Sequence, residues 1–330
     1  MGPHPAVAAV RLAVRQALRS QPTDRPALVA CSGGADSLAL AEATLFDCRR
    51  TGRAAGLVTV DHQLQPGSAE QAARVSALGY ELGFDPVVTL PVDVAGAGGP
   101  EAAARAARYG AVEKVRGDGL VLLGHTADDQ AETVLLGLGR GSGARSLAGM
   151  RPASGGYLRP LLGLRRSHTL AACAALGLPV WHDPHNADPR YRRVRLRTEV
   201  LPLLEDVLAG GVSDALARTA AQLQDDLDAL DELAARLTRR AATPAACGRP
   251  ASIEVAALAA QPDAIATRAL KRWAESEGCA ALSAVHVGEL LRLVRDWHGQ
   301  SPLHLPGGVH IARRSGRLAI GRAADQRCGE

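Results

Sequence analysis

The segment Ser32-Gly-Gly-Ala-Asp-Ser37 constrains the fold of this chain more than any other. It follows the apolar run Ala27–Cys31, which predicts a short buried strand, and it precedes a pattern that predicts a helix opening around Asp36. Gly33 and Gly34 let the backbone turn sharply and approach a ligand closely. Because the first turn of a helix has unpaired N–H groups, this place favours an anion.

The same turn indicates which anion. The hydroxyl groups of Ser32 and Ser37 can hydrogen-bond phosphate oxygens, whereas the carboxylate of Asp36 repels bare phosphate and is best explained as a ligand of Mg²⁺. The segment lacks the Gly-Lys-Ser/Thr ending of a Walker loop, so the lysine that holds the terminal phosphates there has no counterpart. An ordinary glycine-rich turn is the alternative interpretation.

Further apolar runs predict a parallel sheet. Strands are predicted at 56–60, 86–90 and 120–124, and helices at 68–82, 100–116 and 127–138. This alternation is typical of right-handed βαβ units in an α/β domain, with a parallel sheet flanked by helices. Ligands of such sheets bind at the carboxyl ends of the strands. The segments 32–36, 61–62 and 125–132 all fall at such ends, so we expect them to meet over one crevice.

The second half of the chain has a different pattern. Glycine-rich and arginine-rich connections follow Gly141, and a helix is predicted at 167–176. A long amphipathic helix at 213–240 is predicted to link two domains. Helices at 262–277 and 283–297 and short strands near 303–305, 309–312 and 317–320 then predict a small α+β module. We predict three parts: residues 1–205, a helical linker 206–250, and a C-terminal domain 251–330.

Composition excludes several classes of protein. The 330 residues have a formal net charge of +4, and Lys114 and Lys271 are the only lysines, so nearly all positive charge is arginine. The six cysteines contain no Cys-x-x-Cys, which argues against a zinc ribbon or an iron–sulfur cluster and fits a reducing cytoplasm. No apolar run approaches the roughly 20 residues of a membrane helix. The segment 6–18 is interrupted by Arg11 and Arg15, which predicts an amphipathic helix.

The segment His125–Thr133 contains a second candidate site. Asp129 and Glu132 are three residues apart and share one face of the predicted helix, with His125 at the preceding strand end. Two carboxylates beside a phosphate site suit a cation, either a metal ion or a substrate ammonium group. Alternatively, Asp128 and Asp129 only cap the helix. His125 and Asp129 as zinc ligands would need a third ligand, and none has a clear spacing.

Arginines form the third pattern. Arg105 lies in one helical turn with Arg108 and Tyr109, from where its planar donors could reach a triphosphate or a nucleic-acid phosphate. Five arginines lie within 190–197, with Tyr191 among them, a combination that suits a phosphate backbone and a stacked base. Solvated helix faces are the alternative. The segment 137–143 follows a helix and not a strand, which excludes a dinucleotide fingerprint and favours a loop that carries an arginine toward phosphate.

Taken together and in order, these segments resemble the tRNA(Ile)-lysidine synthetase family of the PP-loop, N-type ATP pyrophosphatase superfamily. The resemblance covers roughly the first 205 residues. The chain departs from the family pattern at Val194, where asparagine is usual, and at His185, where a small hydroxyl residue is usual. The matching segments are 32–37, 60–64, 101–109, 125–133, 140–143, 147–150, 159–162 and 181–202.

The resemblance implies an adenine nucleotide α-hydrolase-like fold and a two-step ligation. ATP would adenylate the C2 oxygen of the wobble cytidine of tRNA(Ile) with a CAU anticodon, and free L-lysine would then displace AMP to give lysidine. It further implies a tRNA-binding C-terminal domain and a cytoplasmic enzyme with no membrane partner, and it leaves monomer and homodimer open. The implied ATP ligands are Ser32, Gly33, Gly34, Asp36 and Ser37, with Mg²⁺ on Asp36.

The same resemblance assigns the remaining site residues. Asp129 and Glu132 would bind the substrate lysine, and Arg105 would assist catalysis on the tRNA or triphosphate side. Together with Asp36, these three residues form the implied catalytic set. The implied tRNA-binding residues are Arg140, Arg193, Arg195 and Arg197.

Three other functions remain as alternatives. A PP-loop tRNA thiolase adenylates a base in the same way but relies on a cysteine pair, often with an iron–sulfur cluster. An ATP-sensing RNA-binding protein would need neither Asp36 nor the pair Asp129 and Glu132. A synthetase of the superfamily that is fed by glutamine would need an amidotransferase domain or partner, of which the C-terminal module has no sign.

Overall fold

The computed structural model describes residues 2–61, 63, 67–92, 100–141, 143–184, 188–246 and 250–322. The interpretations that involve His62 and His185 lie outside the described residues. The chain divides into two compact units, Met1–Gln224 and Asp225–Glu330. The three-part division at residues 205 and 250 stays a prediction.

A six-stranded, mostly parallel sheet forms the centre of the first unit. Its order is β3-β2-β1-β4-β6-β5, in which β5 is antiparallel to β6 and every other pairing is parallel. This arrangement confirms the α/β prediction. The strands are β1 Ala27–Ala30, β2 Ala55–Asp61, β3 Val87–Pro91, β4 Leu120–Leu123, β5 Ala153–Ser154 and β6 Tyr157–Leu158.

Helices cover both faces of this sheet. The helices of this unit are α1 Pro5–Arg19, α2 Ala35–Thr51, α3 Ser68–Leu82, α4 Pro100–Arg116, α5 Ala127–Arg140, α6 Ala144–Leu147, α7 Arg166–Leu176, α8 Arg192–Arg195 and α9 Leu201–Val207. Helix α10, Val212–Ala241, begins in this unit and ends in the second. A 3₁₀ turn spans Pro160–Gly163, and a π-helical segment, Leu196–Val200, joins α8 to α9.

Burial on both faces explains why the central strands are apolar throughout. Along β1, Val29 packs in the cluster that contains α1, α2 and α7, whereas its neighbour Leu28 packs in the opposite cluster with Val112 of α4. Successive strand residues point to opposite faces, so a strand buried on both sides has no polar alternation. Val14 of α1 and Leu40 of α2 are fully buried in the larger cluster.

The register of the strands sets the position of the site. Ala30 pairs with Val58 of β2 and with Leu123 of β4, so β1 and β4 end at one level while β2 continues to Asp61. Gly124, directly after β4, packs against the start of α2. A Cβ atom on Gly124 would lie 3.0 Å from the carbonyl oxygen of Asp36, so the close approach of the two segments requires glycine.

The structure adds strands that the sequence pattern did not predict. The stretch after Gly141, interpreted as connections, contains the β5–β6 hairpin. Gly155 and Gly156 form its turn with φ values of +59° and +85°, a conformation that favours glycine. Two strands of two residues each are too short to give a period in the sequence.

The second unit contains a five-stranded antiparallel sheet in the order β7-β8-β11-β10-β9. Its core includes the fully buried Trp273, Leu270 and Ile311. Strand β7 lies in the predicted linker, and neither β7 nor β8 was predicted. The strands are β7 Ala242–Thr243, β8 Ser252–Glu254, β9 Leu303–Leu305, β10 Val309–Arg314 and β11 Arg317–Arg322, and the helices are α11 Val255–Ala259, α12 Asp263–Ser276 and α13 Ala284–Arg295.

Among the residues that the structure describes, no helix is long and apolar enough to span a membrane.

Candidate active site

A cavity of about 660 Å³ opens at the carboxyl ends of β1, β2 and β4. Two of the three segments predicted to meet there, 32–36 and 125–132, line it, whereas Asp61 does not and His62 lies outside the described residues. The size of the cavity suits a nucleotide. Neither Lys114 nor Lys271 belongs to its wall. The polar side chains of the wall include Ser32, Asp36, Ser37, Arg108, Tyr109, His125, Asp129, Arg166, His182, Asp183 and Arg197.

The turn after β1 is held by its own hydrogen bonds. Gly33 has a φ of +84°, in the region that favours glycine, and its carbonyl accepts from the Trp181 amide at 2.9 Å. The hydroxyl of Ser37 donates to the Gly34 carbonyl at 2.9 Å and accepts from the Ser32 amide at 3.2 Å. Ser37 is therefore buried and organises the turn, whereas Ser32 is exposed at the wall of the cavity.

Arg166, the first residue of α7, joins two acidic side chains from different helices. Its Nε donates to Oδ2 of Asp36 at 3.1 Å, and its Nη2 donates to Oδ1 of Asp129 at 2.9 Å. One turn further along α7, the Thr169 hydroxyl donates to Oδ1 of Asp36. Burial raises the pKa of Asp36, and the charge of Arg166 and the bond from Thr169 oppose this rise. Asp36 and Asp129 thus lie around one guanidinium group.

Asp129 is both a helix cap and a cavity residue. Its Oδ2 accepts from the Thr126 amide at 2.8 Å and from the Thr126 hydroxyl at 3.0 Å, which completes a capping box at the start of α5. Burial alone would raise the pKa of Asp129, but Arg166, Thr126 and His125 outweigh it and hold the pKa below its ordinary value. Asp129 therefore caps α5 as the alternative interpretation predicted, and its binding of a metal ion or a substrate ammonium group stays a prediction.

His125 lies beside Asp129 as a neutral imidazole. Burial lowers the pKa of His125 to about 4. The charge of Asp129 opposes this decrease, whereas the charges of Arg159, Arg105 and Arg108 add to it. Its buried Nδ1 has no hydrogen-bond partner among the described residues. Within those residues no three His, Cys, Asp or Glu side chains cluster as metal ligands, so the structure offers no third ligand for zinc.

Glu132 is fully buried, with 0% of the residue exposed. Its Oε1 accepts from Nε of Arg197 at 2.8 Å, and Nη1 of Arg193 lies 3.6 Å from its Oε2. Burial raises the pKa of Glu132, which Arg197 opposes. Two of the arginines predicted to contact tRNA therefore turn inward to this carboxylate. Val194, between them, is itself buried.

The other predicted arginines lie apart from the acids. The Arg105 guanidinium lies 5.0 Å from the centroid of the Tyr109 ring, and Arg105 donates to the Tyr109 hydroxyl at 3.3 Å. Arg140 is the exposed last residue of α5, and Arg195 is exposed and paired with Glu199 at 2.8 Å. The structure thus brings the predicted acids and Arg197 together and leaves Arg140 and Arg195 on the surface.

Sequence reasoning missed Arg166 and Thr169. A signal was present, because Arg165 and Arg166 stand at the start of a helix, where the dipole disfavours positive charge. Asp128 compensates for them, since its Oδ2 accepts from the Arg166 amide at 2.7 Å and its Oδ1 accepts from Nε of Arg165 at 3.1 Å. A local rule broken in this way often marks a functional site.

A parallel sheet, a glycine turn at the mouth of a helix and acids at the neighbouring strand ends together define a nucleotide-binding α/β enzyme of the PP-loop type. A family model described as a PP-loop domain matches residues 9–204, and one described as the TilS substrate binding domain matches residues 254–319. The chain belongs to the tRNA(Ile)-lysidine synthase family.

Relatives agree over nearly the whole chain. The tRNA(Ile)-lysidine synthase of Thermobifida fusca is 54% identical over 97% of this chain and 98% of its own length. The tRNA(Ile)-lysidine synthase of Salinispora tropica is 53% identical over 95% of this chain and 96% of its own length. Among solved structures, the U34-tRNA thiolase NcsA from Methanococcus maripaludis is similar with a TM-score of 0.56 and 16% identity, over 67% of this chain and 80% of that one, a likeness of fold alone.

Proposed function

We propose that this chain is an ATP-dependent ligase that attaches free L-lysine to C2 of the wobble cytidine of tRNA(Ile) with a CAU anticodon. In the first step the C2 oxygen attacks the α-phosphorus of ATP and pyrophosphate leaves. In the second step the ε-amino group of lysine attacks C2, AMP leaves and the amine loses a proton. One observation carries the proposal: a single cavity is lined by both the phosphate-binding turn and Asp129.

The turn after β1 suits the triphosphate of ATP. The amide groups of Gly33 and Gly34 and the first turn of α2 favour negative charge, and the Ser32 hydroxyl adds a donor at the wall. Ser37 supports the shape of the turn from within. Val58 and Val60 in the same wall, with other apolar residues, suit the adenine ring.

Asp36 is the residue that would hold Mg²⁺. Mg²⁺ is bound commonly by one or two carboxylates together with substrate phosphates, and Asp36 stands in the turn that suits those phosphates. No three potential ligands cluster among the described residues, which fits an ion that arrives with ATP better than one in a protein cage. When bound, the ion would neutralise charge on the phosphates.

Asp129 and Glu132 support the lysine-binding role. The low pKa of Asp129 keeps its carboxylate ionised, as pairing with an ammonium group requires. Its partners include the guanidinium of Arg166, and this contact with a cationic group supports the role. Glu132 lies one helical turn further along α5, so the substrate ammonium group would compete with Arg166, Arg193 and Arg197 for these acids.

The tRNA would be held mainly by arginine. Arg140 and Arg195 are exposed and suit the phosphate backbone, whereas Arg193 and Arg197 would contact RNA at the edge of the cavity. Arg105 would assist on the tRNA or triphosphate side. The second unit, which matches the substrate-binding model, would hold another part of the tRNA. Such an enzyme works in the cytoplasm.

A labelling assay tests the proposal. Protein, ATP, radiolabelled lysine and an unmodified tRNA with a CAU anticodon are incubated, and the label in the RNA is measured. We expect ATP-dependent incorporation, its loss in Asp36→Asn, and normal incorporation in the control Asp24→Asn, which changes an exposed aspartate. An RNA that stays unlabelled with the unaltered protein refutes the ligase, and incorporation from a sulfur donor would assign the thiolase reaction instead.

A further inference from the structure

Arg108 of α4 is a positive side chain in the wall of the cavity. It is half-buried, and no hydrogen bond or ion pair joins it to any of the described residues. The other two arginines of the wall are by contrast paired with acids: Arg166 with Asp36 and Asp129, and Arg197 with Glu132. Arg108 is therefore a guanidinium group without a protein counter-charge within the described part of the chain.

The surroundings of Arg108 are positive. Burial lowers the pKa of Arg108, and the charges of Arg105 and Arg193 lower it further. The acids nearby are already engaged, because Glu132 pairs with Arg197 and Arg193 while Asp129 pairs with Arg166. The positive charge near α4 is thus left uncompensated by these acids.

An uncompensated charge in a half-buried place is unfavourable, and an anion that enters the cavity removes this cost. Guanidinium is well matched to phosphate, because its planar fork can donate two parallel hydrogen bonds. The turn after β1 lacks the lysine that serves terminal phosphates in Walker loops. Arg108 lines the same cavity as Ser32 and Ser37 of that turn, so it can supply the missing cation.

We propose that Arg108 binds the terminal phosphates of ATP and stabilises the pyrophosphate that leaves, an inference that rests on the proposed adenylation. As the bond from the C2 oxygen to the α-phosphorus forms, the bond from that phosphorus to the pyrophosphate oxygen breaks and its electron pair goes to pyrophosphate. A fixed cation at that side lowers the energy of the developing charge. An RNA phosphate is the less favoured ligand, because Arg140 and Arg195 are not part of the cavity wall and Arg197, which is, is already paired with Glu132.

Binding of inorganic pyrophosphate to the full chain tests this role without tRNA or lysine. Calorimetry would compare the unaltered protein with Arg108→Met, Arg108→Lys and the control Lys114→Met, which removes an exposed positive charge from the same helix. We expect Arg108→Met to weaken pyrophosphate binding at least about tenfold and AMP binding by less than about twofold, with Arg108→Lys in between. Lys114→Met should bind both as the unaltered protein does.

Thermal unfolding gives a second readout that a purely structural role would not produce. Without ligand, Arg108→Met should unfold at the same or a higher temperature than the unaltered protein, because it removes an unpaired charge. Pyrophosphate should then raise the Tm of the unaltered protein more than that of Arg108→Met. A large fall in the Tm of ligand-free Arg108→Met would contradict the proposal.

Three results in the binding assay would overturn the role. Unchanged pyrophosphate binding in Arg108→Met would show that Arg108 does not bind pyrophosphate. An equal loss of affinity for AMP and for pyrophosphate would assign Arg108 to the binding of the nucleoside or to the stability of the fold. Weaker tRNA binding with normal pyrophosphate binding assigns it to RNA. Because these measurements need no lysine transfer, failure of the labelling assay would refute the ligase and not the phosphate site.

Discussion

Asp129 combines a helix cap with a position in the wall of the cavity. One oxygen closes the capping box of α5, while the other faces Arg166 in the cavity. Capping fixes the side chain in one orientation, so the second oxygen is already placed for a cationic partner. A substitution at Asp129 would therefore disturb helix and site at once, whereas Glu132 takes no part in the cap of α5.

Replacing Glu132 by glutamine should separate lysine binding from ATP binding. The amide keeps the shape but removes the charge that an ammonium group requires, so we expect the KM for lysine to rise about tenfold or more and the KM for ATP to stay within about twofold. Steady-state labelling at varied lysine and varied ATP measures both. Glu199→Gln, which breaks an exposed pair with Arg195, is the control. An unchanged lysine KM in Glu132→Gln would remove Glu132 from the pocket.

His125 predicts an acid-sensitive stability. The pKa of His125 is about 4 in the folded chain, against the ordinary value of 6.5 that applies to the unfolded chain. The unfolded chain therefore takes up the proton first as the pH falls. The free energy of unfolding should therefore decrease from about pH 6.5 toward pH 4, and His125→Gln should remove about 3 kcal/mol of that decrease. Urea unfolding at a series of pH values measures it, with the exposed His168→Gln as control. Parallel curves for His125→Gln and the unaltered protein would contradict the assignment.

At the scale of elements, the sequence predicts those segments whose burial gives a clear period. Helix α3 begins and ends where predicted, and β2 and β4 differ from prediction by a residue or two at their ends, because apolar strands and amphipathic helices leave regular patterns. The β5–β6 hairpin and β7 leave no such regular pattern in the sequence. Each of these three strands is two residues long, and the pairing of β6 with β4 joins residues that are distant in the sequence.

The start of α7 should be sensitive to Asp128. Asp128→Ala removes the acceptor of the Arg166 amide and leaves two positive side chains at a helix N-terminus. We expect the free energy of unfolding to fall by about 1 kcal/mol and the adenylation rate to fall as well, because Arg166 loses its orientation toward Asp36. Urea unfolding and single-turnover adenylation measure the two effects. Asp214→Ala removes only a contact with the Arg165 side chain and should leave adenylation unchanged.

At the scale of the whole molecule, the fold and the crevice follow from the sequence, but the partners inside the crevice do not. The periodic strands place the turn after β1 and His125 at the same edge of the sheet. The bond between Arg166 and Asp36 joins residues 130 positions apart, and no local pattern encodes such a pairing. Likewise, the sequence pattern predicts that Arg193 and Arg197 belong to an exposed basic surface. In the structure both pair with the buried Glu132.

The second unit has a core of its own around Trp273, which is 1% exposed. Trp273→Ala should lower the free energy of unfolding of this unit by about 3–5 kcal/mol, because it leaves a large cavity. Trp273→Phe should cost much less, since it fills most of the space and removes an indole N–H that has no partner among the described residues. Calorimetric unfolding of the full chain measures both. Similar losses for the two variants would show that packing at Trp273 does not control this unit.

The scarcity of lysine in a protein proposed to consume that amino acid has a practical consequence. Amine-selective acylating reagents, such as activated esters of fluorescent dyes, find side-chain targets only at Lys114 and Lys271. Both are exposed, and neither lines the cavity. The molecule can therefore be tagged or tethered to a sensor chip at these two positions while the pocket for the incoming amine stays chemically untouched.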